Sequence, residues 1–258
     1  MAATAAKRKT SRAGAPGGAS TAVLETRPRL RKAQRSLASG PAKPRRWASP
    51  RGLPNALTLA CLGLGFLAAL AAGKGERDNA LGLLAVAALA DSLAGFSAQG
   101  WSLASDLGAE LDSLAALMVW GVAPALLAYN NGLDTLGGWG LALAGLTAVS
   151  AAWRLCRGDV QGGRDRYQGL PLPVAGLALV SAVAWPLPVP WVAGLILALC
   201  GAQLSPWTWP RRPMSRLVAV PLLLSLAFAA AGVNAAWLLP GVAALVWALL
   251  VPFQTRRS

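Results

Sequence analysis

What most limits the folds open to this chain is a series of apolar stretches that begins after residue 52. Eight can be marked: 53–72, 79–96, 111–129, 137–153, 172–185, 189–203, 217–231 and 236–253. Crossing a hydrocarbon layer about 30 Å thick takes roughly 20 helical residues, and each stretch reaches or approaches that length. Backbone amides in lipid must be satisfied within their own segment, so serial apolar runs of this length predict helices. Hydrophobic residues make up 55% of the chain, and the charges cluster in tails and short loops, leaving no room for a separate soluble domain. The expected class is all-α, a polytopic membrane helical bundle of about eight transmembrane helices. The fifth and sixth stretches are short and joined by PLPVP (186–190), which a helix cannot continue through; merging them would give seven spans.

The distribution of basic residues separates those two counts. Thirteen of the 24 Lys and Arg residues precede Leu53. With that tail inside and eight spans, 22 of the 24 fall on the inner side, and only Lys74 and Arg77 lie outside. Seven spans would move Arg211, Arg212, Arg216, Arg256 and Arg257 outward. Eight spans with both termini cytoplasmic satisfies the positive-inside rule better. Residues 1–50, rich in Ala, Gly, Ser, Pro, Lys and Arg, read as a disordered basic tail rather than a secretory signal, since some fifty residues precede the first apolar run.

Several function classes drop out on composition. The net charge of +14 is concentrated beside the first apolar stretch, where it suits anionic headgroups, and it lacks the interleaved aromatics of a nucleic-acid surface. The chain has no histidine, which removes Ser-His-Asp and Cys-His catalysis and every His-ligated metal. Cys61, Cys156 and Cys200 have neither disulfide nor ligand spacing and read as small hydrophobes in or beside apolar runs. Trp207 and Trp209, in a short S-P-W-T-W-P loop, read as part of an interfacial aromatic belt. Chemistry is left to carboxylates, arginines and hydroxyls.

Asp91, Asp106, Glu110 and Asp112 gather at the inner ends of the second and third stretches. Ionisable groups at membrane depth are costly and mark a functional site by default. Asp91, Ala94, Gly95 and Ala98 share one helical face; Gly108, Asp112 and Ala116 share another. Carboxylates on two such opposed faces suit Mg²⁺ or Mn²⁺, hard ions that take oxygen ligands together with substrate phosphates. Asp106 reads most simply as a loop or capping residue and Glu110 as a first-turn carboxylate. The loop 154–173, with Arg154, Arg157, Arg164 and Arg166, falls on the same side in the eight-span topology, so acids for a cation and arginines for phosphate would share one interface.

The frame resembles the signature D-x2-D-G-x2-A-R-x8-G-x3-D-x3-D of the CDP-alcohol phosphatidyltransferases. It runs here through Asp91, Ala94, Gly95, Ala98, Gln99, Gly108, Asp112 and Ala116 with every spacing kept. LPNALTL (53–59), LGAELDSLA (107–115), GVAPALL (121–127), RLCRGDVQ (154–161) and YQGLPLP (167–173) are similar to stretches of the bacterial phosphatidylserine synthase branch. The resemblance covers roughly residues 52–215. It implies a helical bundle with a cavity open to the cytoplasm, in a bacterial cell (inner) membrane. It also implies CDP-diacylglycerol held by its diphosphate on two divalent ions, and an alcohol such as L-serine attacking phosphorus to release CMP. On that pattern Asp91 and Asp112 are metal ligands, Gly95, Ala98 and Gly108 face the nucleotide, and Arg154 and Arg157 contact phosphate or the serine carboxylate. A homodimer is a further expectation.

Three positions depart from the signature. Ala94 and Ala116 stand where the second and fourth aspartates belong, the latter being the family's general-base position, and Gln99 stands for the arginine. Two functional readings follow: a phosphatidylserine-synthase-type enzyme, divergent and slow, or a catalytically inactive relative that binds lipid or nucleotide or serves a partner subunit. In domain terms the expectation is a basic tail over 1–50, a family core of six spans over 51–215, and two additional spans with a short basic tail over 216–258.

Overall fold

The computed structural model describes residues 52–100, 106–161, 166–210 and 216–254. The basic tail and Arg164, Arg211, Arg212, Arg256 and Arg257 lie outside the described residues. Helix α1 spans Gly52–Gly73 and α2 spans Arg77–Gly100. Then α3 (Asp106–Leu117) runs through a π-helical turn (Met118–Val122) into α4 (Ala123–Asn130). Helices α5 (Gly138–Gln161), α6 (Leu172–Ala184), α7 (Val189–Leu204), α8 (Arg216–Ala230) and α9 (Leu238–Gln254) complete the bundle. Each apolar stretch marked above is therefore helical. The fifth and sixth form separate helices, because Trp185–Pro188 breaks the backbone ladder between α6 and α7.

Among the described residues, three helical segments are long and apolar enough to cross a membrane: Asn55–Gly73, Gly108–Asn130 and Gly138–Arg157. Leu172–Ala184, Val189–Leu204, Val220–Ala230 and Asn234–Leu249 are apolar but shorter. Large apolar side chains such as Phe66, Leu141, Val149, Trp139, Trp191 and Leu249 are turned outward, as a lipid-facing surface requires.

Small residues set how closely the helices approach. The α1–α2 interface buries Ala68, Ala71 and Ala72 of α1 and Ala80, Ala85 and Ala88 of α2, the small-residue packing that draws helices together where lipid offers no hydrophobic drive. The α1–α2 corner closes with Gly75 at φ +77° and the Glu76 amide returning to the Ala71 carbonyl at 2.9 Å, a glycine-terminated helix end. Helix α8 packs on α2, and α9 on α6, where Gly241 lies so near Ser181 that a β-carbon there would overlap its Cβ and Oγ.

One element departs from the all-helical expectation. Strands β1 (Arg166–Gln168) and β2 (Thr208–Pro210) pair antiparallel, with Tyr167 opposite Trp209. The Gly169 amide extends the ribbon by donating to the Trp207 carbonyl at 2.9 Å, and the Leu170 amide ties it to the last turn of α7 by donating to the Ala202 carbonyl at 3.1 Å. Trp209 is buried and Trp207 is exposed, so only Trp207 is placed as the aromatic-belt reading expects.

Candidate functional site: a two-carboxylate frame between α2 and α3

The residues of the D-x2-D frame lie on two helices. Asp91 and Ala94 sit in the third quarter of α2, and Gly95, Ala98 and Gln99 continue the same helix to its end. Asp106 opens α3, with Gly108 in its first turn and Asp112 and Ala116 on the same stripe. Helix α1 packs against both and contributes Cys61, whose Sγ lies 3.4 Å from the Ala87 carbonyl oxygen.

The fold brings Asp91 and Asp112 together: the two carboxylates lie within electrostatic range of each other, and buried Cys61 lies within range of both. Asp91 is half-buried and Asp112 exposed. Two like charges meeting in surroundings of reduced polarity repel more than they would in water, and a cation between them relieves that cost. The frame does not go further. Ala94 is buried and Ala116 half-buried against the core; Glu110 is exposed on α3. Among the described residues, no group of three His, Cys, Asp or Glu side chains comes together as a metal cage.

The two arginines lie in the C-terminal turns of α5. Arg154 is only 7% exposed, and its Cγ lies 3.5 Å from where a β-carbon on Gly169 would stand. Gly169, at φ +77°, also presses on the Gln203 carbonyl, so the turn needs glycine both for its conformation and for its clearance. Arg157 donates to the Leu204 carbonyl at 2.7 Å and so satisfies an orphan acceptor at the C-terminus of α7.

One participant escaped the sequence reading. Trp120, in the π-helical turn and 3% exposed, donates from Nε1 to Oδ2 of Asp91 at 3.4 Å. Its signal was present in the spacing, since Trp120 follows Ala116 by four residues and extends the Gly108–Asp112–Ala116 stripe.

A sequence model of the family described as CDP-alcohol phosphatidyltransferase matches residues 51–205, which takes in the whole frame, both arginines and the β1 loop. The chain belongs to the CDP-alcohol phosphatidyltransferase family. It is an integral-membrane family, in keeping with the apolar helices. Similar proteins named CDP-diacylglycerol–serine O-phosphatidyltransferase come from several organisms. That of Mycobacterium tuberculosis is 31% identical over 238 residues, covering 84% of this chain and 82% of its own. That of Helicobacter pylori is 32% identical over 133 residues, 50% of this chain and 56% of its own. That of Bacillus subtilis is 36% identical over 91 residues, 35% of this chain and 51% of its own. The chain is thus phosphatidylserine-synthase-like over most of its length.

Proposed function

We propose that this chain binds CDP-diacylglycerol in the manner of a phosphatidylserine synthase and carries phosphatidyl transfer to an alcohol such as serine at no more than a background rate. The observation that carries this reading is the pairing of Asp91 with Asp112 beside two alanines. The donor set does not fit a two-metal clamp. It fits one Mg²⁺ or Mn²⁺, which takes one or two protein carboxylates and fills its shell with water and substrate phosphate oxygens. Such an ion would supply charge neutralisation of the diphosphate, with Asp91 and Asp112 as its protein ligands.

The transfer step asks more of the chain than these residues provide. An attacking hydroxyl has to lose its proton, and a positioned general base is worth about 10²–10⁴-fold. A methyl group stands at position 116, the family's base position. Gln99 offers no permanent charge and no planar fork to a phosphate. Binding survives these losses better than turnover does, because binding needs only the cavity and one ion.

The proposal extends to topology: eight spans with both termini cytoplasmic, a family core over 51–215 followed by two added spans, and a basic tail lying against the anionic lipid of a bacterial cell membrane. The second reading, a slow but working phosphatidylserine synthase, is favoured by the 31% identity over 84% of the chain to a protein of that name.

One experiment separates the two. Purified protein is given CDP-diacylglycerol, serine and Mn²⁺, and CMP release is followed alongside binding of the liponucleotide. We expect binding without CMP release above background, and gained CMP release in the Ala94→Asp/Gln99→Arg/Ala116→Asp triple variant. Metal-dependent CMP release by the unaltered chain that disappears in Asp112→Ala would overturn the reading.

A further inference from the structure

We infer that Trp120 is the positioning residue for Asp91: its indole N–H fixes one carboxylate oxygen against the protein and leaves the other for a ligand in the site. The inference rests on the proposed use of Asp91 as a cation ligand, and four observations carry it. The donor and acceptor are on different helices, 29 residues apart in sequence, and the contact joins Nε1 to Oδ2 at 3.4 Å. Trp120 is buried, so its N–H has little access to water and its ring is held by packing.

The ring is fixed from the opposite side by α6. A β-carbon on Gly176 would lie 2.7 Å from Trp120 Cε3 and 3.0 Å from its Cα and Cβ, so Gly176 leaves the space that the indole occupies. The third observation is the backbone that carries the ring. Trp120 sits in the five-residue π-helical turn Met118–Val122, which turns the following side chains relative to an unbroken α-helix. Such bulges concentrate at functional sites.

The fourth is the state of the carboxylate itself. Among the described residues Oδ1 of Asp91 has no hydrogen-bond donor, while Oδ2 has Trp120. A carboxylate held by one oxygen presents the other in a fixed direction, as outer-shell partners do for metal ligands in general. In a frame reduced to two carboxylates, that orientation matters more, because no neighbouring aspartate at 94 or 116 shares the ion.

The test uses the full-length protein in detergent with Mn²⁺ as the probe, read by the loss of the free-ion electron paramagnetic resonance signal in the presence of CDP-diacylglycerol. Trp120→Phe removes the N–H and keeps an aromatic ring. It is expected to weaken Mn²⁺ binding about tenfold, the lower end of the range for loss of an outer-shell partner. In an Asp91→Asn background the same substitution is expected to change nothing further. A merely structural role for Trp120 would move thermal unfolding and leave Mn²⁺ affinity within twofold, and that result would overturn the inference. So would a tenfold loss that persists when Asp91 is already Asn. If the unaltered chain binds no Mn²⁺, the cation reading of the site fails. The pair is then judged by unfolding temperatures alone: non-additive losses for the two substitutions keep the contact, and additive losses end it.

Discussion

Arg77 is one of only two basic residues that the positive-inside reading leaves on the outer side, and the structure gives its guanidinium defined partners. From the first turn of α2, one of its guanidinium nitrogens donates to the carbonyls of Val183 and Ala184, at 2.9 and 2.7 Å. These are the last residues of α6, where a helix has carbonyls without intrahelical donors. The arrangement joins two helices that are more than a hundred residues apart in sequence. Hydrogen bonds from a charged donor are each worth about 1.5–3 kcal/mol, and a cation at a helix C-terminus adds about 0.3–1 kcal/mol. Three corrections reduce that sum. The side chain is 30% exposed, the freed carbonyls can take water, and Arg77 sits at the unfavourable positive end of its own helix. A net loss of about 2 kcal/mol for Arg77→Met is the working figure, since Met keeps the apolar stem and removes the fork. On the soluble-protein scale for 150–250 residues this lowers the unfolding temperature by about 4–8 °C. Arg77→Lys should recover part of the loss, because it restores the charge without the planar donors. Lys74→Met, at an exposed position in the same corner, should change almost nothing. Thermal unfolding of the three variants in one detergent decides the matter. If Arg77→Met unfolds within 1 °C of the unaltered protein, the cap contributes nothing and the reasoning fails.

Two further substitutions probe the packing that holds the site. Gly169→Ala adds a β-carbon at φ +77° and drives it into the Gln203 carbonyl, so it should lower the unfolding temperature and disturb the buried Arg154 beneath the turn; a neutral result in thermal unfolding would contradict the close approach. Gly176→Ala fills the space held by the Trp120 ring and should cost about 1–3 kcal/mol as overpacking, with Mn²⁺ affinity falling in step because the ring moves away from Asp91. An unfolding temperature and an affinity both unchanged would show that the ring has room to give.

The helices were legible because membrane helices announce themselves through length and apolar content, quantities that a single sequence carries in full. The break at 185–188 was legible for the same local reason, since proline writes its effect into the neighbouring backbone. What escaped the sequence depended on pairing between distant segments. Thr208–Pro210 looks like a loop until Arg166–Gln168 is laid beside it, and Trp209 looks interfacial until the ribbon buries it. Arg157 reads as a phosphate contact from its family stretch, and only the structure shows that one guanidinium nitrogen also meets the end of α7. The carboxylate pair was proposed from spacing, because the family frame puts Asp91 and Asp112 on one face each of α2 and α3. Trp120 shares that spacing, but a lone buried tryptophan on an apolar helix has a bland explanation until its partner is known.

The alanines at 94 and 116 show how the spacing of the frame can hold without a carboxylate at every position. In membrane helices, close approach rests on small residues rather than on hydrophobic drive. Ala94 is buried and Ala116 packs against the core, so at these positions alanine serves the helix contact as well as an aspartate could, without a charge to desolvate. Gly65 on α1, whose β-carbon would lie 2.7 Å from a Val119 methyl, serves the same close approach. Packing at these two positions therefore does not call for a carboxylate. Asp91 is under a different constraint. It accepts a hydrogen bond from a buried tryptophan, and replacing it would leave that donor without its acceptor.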